Sequence, residues 1–94
     1  MKNYFIQCAN GSMFCGQFVN RQDDETAFDC VFQIFPQPHP KNKNEITFSG
    51  IYHGLTTFKN SVIAFYSEID PKGHYYEIYK ELKISKGIGI IHAV

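Results

Sequence analysis

Apolar residues in this chain occur in short runs that are separated by turn residues, and within several runs they recur at every second position. The clearest alternation lies in residues 27–35, where one side of a predicted strand carries Phe28, Cys30, Phe32 and Ile34. A period of two is typical of β-strands. Short runs at this spacing, joined by turn residues, predict an all-β protein.

The first two runs predict a β-hairpin. They flank Asn10-Gly11, and Asn-Gly is the preferred pair for a two-residue type I′ turn because both central positions need a positive φ. Such a turn places Ile6 opposite Cys15. Both faces of this hairpin are apolar, so each should be covered by another part of the molecule or by a second copy.

The middle of the chain predicts a loop and a second hairpin. Prolines at positions 36, 38 and 40 predict an exposed, extended loop over residues 36–44. Residues 45–55 and 61–69 then form a second predicted hairpin that turns at Lys59-Asn60. The sequence Asp70-Pro71-Lys72-Gly73 fits a type I turn.

Residues 74–84 fit two structures. As a strand they follow a turn and precede another apolar run, residues 88–94, which favours a hairpin. As a helix they carry one apolar stripe, formed by Tyr75, Ile78, Tyr79 and Leu82. We favour the strand, which predicts an all-β, antiparallel, up-and-down meander of about seven strands curled into a barrel or half-barrel. The alternative is an α+β fold with one helix at 74–85.

Length and charge narrow the class of protein. The 94 residues (10.8 kDa) predict a single domain, residues 1–94. The formal net charge is zero, which disfavours direct binding of nucleic acid because no basic field attracts phosphates. The N-terminal apolar run is too short for a signal peptide, and no run is long enough to span a membrane. We therefore expect a cytoplasmic protein that does not bind membranes.

No catalytic, metal or cofactor site is predicted. The three cysteines contain no C-x-x-C pair, and the four histidines lack metal-ligand spacing. The three cysteines are expected to be reduced and buried. The glycine pattern at residues 87–89 lacks the third glycine of a dinucleotide-binding turn. The protein is therefore expected not to be an enzyme and to use no cofactor.

A binding surface is predicted from acidic and aromatic residues. Three consecutive acidic residues precede the strand at 27–35, and an acidic loop on a rigid β scaffold suits a basic partner. Glycines at positions 50 and 54 would let a partner approach the backbone between them. The residues predicted to contact a partner are Asp23, Asp24, Glu25, Asp29, Phe35, Tyr52 and His53.

These features favour a non-enzymatic binding protein that blocks a macromolecular partner. In size and character the chain is similar to toxin-neutralising immunity proteins and phage-encoded inhibitors, although it carries no motif of such a family. The expected partner is a protein with a basic surface, such as a nuclease toxin. The alternative is a lipocalin-like small barrel that binds an apolar ligand or acts as a regulator. A homodimer through the first hairpin would also cover its apolar faces.

Overall fold

In a computed structural model of the protein, the described residues form one antiparallel sheet of six strands with one helix packed on it. The structure describes residues 2–85 and the backbone of residues 91–93. The sheet order is β5-β1-β2-β3-β4-β6. The elements are β1 Asn3–Cys8, β2 Met13–Arg21, β3 Glu25–Pro38, β4 Ile46–Lys59, β5 Ile63–Glu68, α1 His74–Ser85 and β6 Ile91–Ala93.

The predicted antiparallel sheet is confirmed, but the barrel and the count of about seven strands are not. The sheet is not closed, since β5 and β6 form its two ends in the part of the chain that the structure describes. The predicted pairing of residues 45–55 with 61–69 is wrong. A short 3₁₀ turn, Asn60–Val62, follows β4, and β5 then pairs with β1.

The preference for a strand over residues 74–84 is wrong, and the alternative of a helix at 74–85 is correct. The predicted turn before it is present, with the Gly73 amide donating to the Asp70 carbonyl at 2.9 Å. A strand would have placed Lys80 within an apolar face, whereas the helix leaves Lys80 exposed and buries Ile78 and Leu82 against the sheet. The helical stripe therefore decides the structure, because only the helix removes the apolar residues from water as one face.

The first hairpin is present, but its register is one residue from the predicted one. The loop has three residues and ends at Gly11, whose amide donates to the Cys8 carbonyl at 2.9 Å. Gly11 has a φ of +90°, as expected for a type I turn followed by a left-handed residue. Ile6 therefore lies opposite Phe14 rather than Cys15. A one-residue shift exchanges the faces, so Cys15 and Ile6 lie on opposite faces of the sheet rather than side by side on one face.

Replacing Gly11 with alanine is expected to lower the free energy of unfolding by about 1–2 kcal/mol, because a Cβ is disfavoured at this left-handed φ. Space does not limit the change, since the added Cβ would meet no atom within 4 Å. Urea denaturation measures the effect. The matched control is Gly73→Ala, whose position has no left-handed φ, and we expect a change within about 0.5 kcal/mol there. Equal losses at both positions would contradict the turn assignment.

The proline-rich segment is partly strand rather than loop. β3 continues to Pro38, and Pro36 lies opposite Phe48 of β4. Beyond Ile34, β3 pairs with β4 and with no other strand of the described residues, so one side of this stretch forms an edge of the sheet. A proline is tolerated there because its missing N–H can face the unpaired side.

Both faces of the sheet carry a buried cluster, which explains the two apolar faces of the first hairpin. The cluster beneath α1 includes Phe32 and Leu82. The cluster on the opposite face includes Phe28, whose ring centroid lies 5.8 Å from that of Tyr66 on β5. Three strand steps separate β3 from β5, or about 14 Å in a flat sheet. The sheet is therefore strongly curved around this second cluster.

Candidate functional site

The acidic turn, defined as Asp23, Asp24 and Glu25, connects β2 to β3. Its backbone is closed by the Gln22 amide, which donates to the Glu25 carbonyl at 2.8 Å. The Asp23 and Asp24 side chains are exposed, and Glu25 is half-buried. The turn therefore presents its first two carboxylates directly to solvent.

Asn60 fixes the acidic turn from the end of β4. Its backbone amide donates to the Asp24 carbonyl at 2.8 Å, and its side-chain Nδ2 donates to the Asp23 carbonyl at 3.3 Å. The Asn60 side-chain oxygen accepts a hydrogen bond of 2.6 Å from the hydroxyl of Thr26, which is fully buried. One side chain thus joins the turn to the protein interior. The sequence does not indicate this role, because Asn60 lies 37 residues from Asp23.

A β-bulge interrupts β3 at Asp29 and Cys30. Phe28 pairs with Thr56 and Val31 with Gly54, so two residues of β3 face one residue of β4. Cys30 has a φ of +50°, a conformation that non-glycine residues rarely adopt. The Asp29 side chain accepts a hydrogen bond of 2.8 Å from the Cys30 amide and so supports this backbone.

Because of the bulge, the predicted faces of β3 are wrong. The alternation in the sequence placed Phe28 on one side with Phe32 and Ile34. In the structure Phe28 belongs to the cluster on the curved face, and Phe32 and Ile34 belong to the cluster beneath α1. The extra residue at the bulge reverses the side on which every later residue lies.

Helix α1 is tied to the bulge through Tyr79. The Tyr79 hydroxyl donates a hydrogen bond of 2.8 Å to the Cys30 carbonyl, and the Tyr79 side chain is almost fully buried. Burial raises the pKa of this hydroxyl well above its usual value, and the nearby Cys30 and Asp29 groups raise it further. The hydroxyl therefore stays protonated and remains a donor, so the helix and the bulge hold each other in place.

An open pocket of about 460 Å³ lies beside the bulge. Its described lining is formed by Cys30, Phe32, Tyr52 and Lys83. Tyr52 is 54% exposed, and its ring centroid lies 4.9 Å from that of Phe32. The Lys83 ammonium lies 4.6 Å from the centroid of the Tyr79 ring. The pocket thus joins an aromatic wall to one positively charged group. Lys83 reaches it from α1, so the strand favoured for residues 74–84 does not predict this contribution.

The other two predicted contact residues lie away from this pocket. His53 is exposed, its Nε2 lies 3.2 Å from the Gln33 side-chain oxygen, and its ring meets that of Phe14 at 6.0 Å. Phe14 packs against the cluster on the curved face, so His53 and Tyr52 point to opposite faces. Phe35 is half-buried and lies further along β3. Tyr52 lines this pocket together with Cys30, the residue that follows Asp29, and the structure does not bring all seven residues together.

The cysteines are free thiols in two kinds of surroundings. Cys8 and Cys15 are buried, and burial raises the pKa of both thiols, to about 12 for Cys15. The side chain of Cys30 is half-buried and lines the pocket. Within the described residues, no group of three or more His, Cys, Asp or Glu side chains is arranged to hold a metal ion. No helix of that part of the chain has the length and apolar character needed to cross a membrane.

Comparison with other proteins identifies no relative. No family model matches the chain, and neither the curated proteins nor the solved structures give a match. The functional interpretation therefore depends on the acidic turn and on the pocket beside the bulge.

Proposed function

We propose that the protein is a non-enzymatic binding protein that blocks a macromolecular partner with a basic surface, in the manner of toxin-neutralising immunity proteins and phage-encoded inhibitors. The observation that supports this proposal is the fixed backbone of the acidic turn. Asn60 holds the carbonyls of Asp23 and Asp24, while both side chains are exposed. A loop that is ordered before binding loses less conformational entropy when the partner docks.

Electrostatic attraction would act mainly on the rate of association. Adjacent carboxylates attract a cluster of Lys or Arg side chains, and such attraction raises the association rate and suppresses wrong partners. The nucleic-acid-binding surface of a nuclease toxin has this charge, which makes such a toxin a suitable partner. The proposed location of this encounter is the cytoplasm.

The proposed contact surface extends from the acidic turn along β3. Asp29 follows Asp24 by five residues, or about 16 Å in an extended strand. A standard interface buries about 800 Å² on each partner, a patch wide enough to include both positions. Tyr52 is exposed and lines the same pocket as Cys30, the residue that follows Asp29, so it supplies the aromatic contact that such interfaces favour. The contacts predicted for Phe35 and His53 stay predictions, since His53 faces the other side of the sheet.

Neutralising the acidic turn is expected to weaken partner binding at least about tenfold, mostly through slower association. The variant combines Asp23→Asn, Asp24→Asn and Glu25→Gln. The partner is first obtained as the protein that co-purifies with the tagged chain from its own cells, seen in a native mass spectrum as an added mass of several kilodaltons. Association and dissociation rates are then measured at two salt concentrations, and the partner's own activity is assayed with each variant.

The matched control neutralises three other exposed acids, with Glu68→Gln, Glu77→Gln and Glu81→Gln. It changes the net charge by the same amount but leaves the acidic turn intact, so we expect affinity close to that of the unaltered protein. Both triple variants should unfold at nearly the same urea concentration, because most of the altered side chains are exposed. Unchanged affinity in the acidic-turn variant, equal losses in both variants, or the absence of any co-purifying protein would contradict the proposal.

A further inference from the structure

The pocket beside the bulge combines two kinds of recognition chemistry. Tyr52, which is 54% exposed, provides aromatic surface beside the buried Phe32 ring, and Lys83 provides an ammonium group at the helix side. Its volume of about 460 Å³ lies within the range of about 300–1,000 Å³ that is usual for small-molecule sites. Sites of this kind generally pair an apolar lining with a few charged or polar groups that fix the orientation of the ligand.

We propose that this pocket binds a small aromatic carboxylate, with its ring against Tyr52 and its carboxylate on the Lys83 ammonium. This binding activity is independent of the acidic turn and goes beyond the proposed blocking of a partner. The ligand is identified by its chemistry, a planar apolar body with one negative charge.

The charges around the pocket favour an anionic ligand. Lys83 is the charged residue among the described residues that line it. The carboxylate of Asp29, which precedes Cys30 in the chain, already accepts a hydrogen bond of 2.8 Å from the Cys30 amide. A cationic ligand would meet the Lys83 ammonium, which lies 4.6 Å from the Tyr79 ring centroid. A carboxylate would instead gain a charge-assisted hydrogen bond from the same ammonium.

The aromatic walls favour a planar ligand. The Phe32 and Tyr52 rings are tilted by 52°, and Tyr52 keeps 54% of its surface exposed. A second planar ring placed against Tyr52 would remove apolar surface from water and gain ring–ring contact. The pocket wall beside them is rigid, since the Cys30 carbonyl and amide are both held by side chains, Tyr79 and Asp29 respectively. Little reorganisation would therefore accompany binding.

The test compares 2-naphthoate with its uncharged analogue 2-naphthamide. The chain has no tryptophan, so the fluorescence of the naphthyl group can be followed with little protein background. We expect 2-naphthoate to bind with a sub-millimolar Kd and 2-naphthamide to bind about tenfold more weakly, since it lacks the charge that Lys83 recognises. Lys83→Gln is expected to remove that difference by weakening the naphthoate alone.

The matched control is Lys80→Gln. Lys80 lies on the same helix, and its ammonium also lies over a tyrosine ring, 5.7 Å from the centroid of Tyr76, but it does not line the pocket. We expect this variant to bind naphthoate as the unaltered protein does. Both lysines are exposed, so circular dichroism should show the same fold in both variants.

Alkylation of Cys30 by iodoacetamide gives a second readout. Cys8 and Cys15 are buried with raised pKa values, so slow labelling is expected there and the faster reaction reports on Cys30. Naphthoate should slow Cys30 labelling severalfold in the unaltered protein and much less in the Lys83→Gln variant. No binding at millimolar naphthoate, equal binding of the amide, or equal loss in both lysine variants would overturn the proposal. The variant with a neutralised acidic turn should still bind naphthoate, which separates this test from that of the proposed function.

Discussion

Replacing Phe28 with alanine is expected to lower the free energy of unfolding by about 3–5 kcal/mol, the range typical of buried Phe→Ala changes. Phe28 has no exposed surface. Its ring lies 5.8–6.0 Å from four other aromatic rings, which come from β1, β2, β4 and β5: Tyr4, Phe18, Phe58 and Tyr66. Removing this ring leaves a cavity where four strands meet.

The size of the loss depends on the curvature of the sheet. In a flat sheet Phe28 could not contact a ring on β5, and its removal would disturb only neighbouring strands. Each edge-to-face ring pair adds about 0.5–1.5 kcal/mol beyond the burial of area, so the loss of several pairs puts the expected value in the upper part of the range. Urea denaturation monitored by circular dichroism measures it.

Phe65→Ala is the control for this prediction. Phe65 also lies on a strand and also meets another ring, that of Phe5 at 6.1 Å, but it is 50% exposed. We expect a loss below about 1.5 kcal/mol there, because less apolar surface returns to water. Should Phe28→Ala prevent folding altogether, Phe28→Leu provides a measurable variant with a smaller loss, which should still exceed that of Phe65→Ala. Similar losses at Phe28 and Phe65 would show that the curved cluster is not a central part of the core.

The same residue shows how far the sequence predicts the fold. The alternation over residues 27–35 correctly indicates a strand, and Phe28, Phe32 and Ile34 are all buried. Their faces are not predictable from that alternation, since the bulge inserts one residue between the first and the other two. On β3 the left-handed position is Cys30, which does not indicate a bulge in the sequence. The left-handed glycine at this irregularity is Gly54 on β4, which pairs with Val31 and has a φ of +71°.

The candidate site can be predicted from the sequence only in part. The acidic residues and Tyr52 stand out by composition and by neighbouring glycines. Asn60 does not, because its hydrogen bonds to the acidic turn are contacts between residues distant in sequence. Lys83 lines the pocket because residues 74–85 form a helix. The preference for a strand over these residues therefore leaves this charged group out of the predicted site.

Substitutions at Gly50 of β4 and Leu82 of α1 are expected to show a strong energetic coupling, because the helix packs directly on this glycine. A Cβ added to Gly50 of β4 would lie 2.5 Å from Leu82 Cδ2, and Leu82 is fully buried in the cluster beneath α1. The leucine therefore has little room to move. Gly50→Ala is expected to cost about 1–3 kcal/mol by overpacking, and Leu82→Ala about 2–5 kcal/mol by leaving a cavity.

The two changes should compensate each other when combined. The new methyl group at position 50 points into the space that Leu82→Ala vacates, so the steric conflict disappears and the cavity shrinks. We expect the double variant to be more stable than the sum of the two single losses by at least about 1 kcal/mol, within the range seen for residues in contact. Urea denaturation of all four proteins completes the double-mutant cycle.

Leu55→Ala provides the control cycle with the same glycine substitution. Leu55 lies on the same strand as Gly50 but is 68% exposed, so its loss should add to that of Gly50→Ala within about 0.5 kcal/mol. If Gly50→Ala is coupled to Leu82→Ala but not to Leu55→Ala, then α1 packs on β4 at the position where the strand has no side chain. Additive losses in both cycles would mean that α1 does not pack on Gly50, and the pocket that depends on Lys83 would lose its support as well.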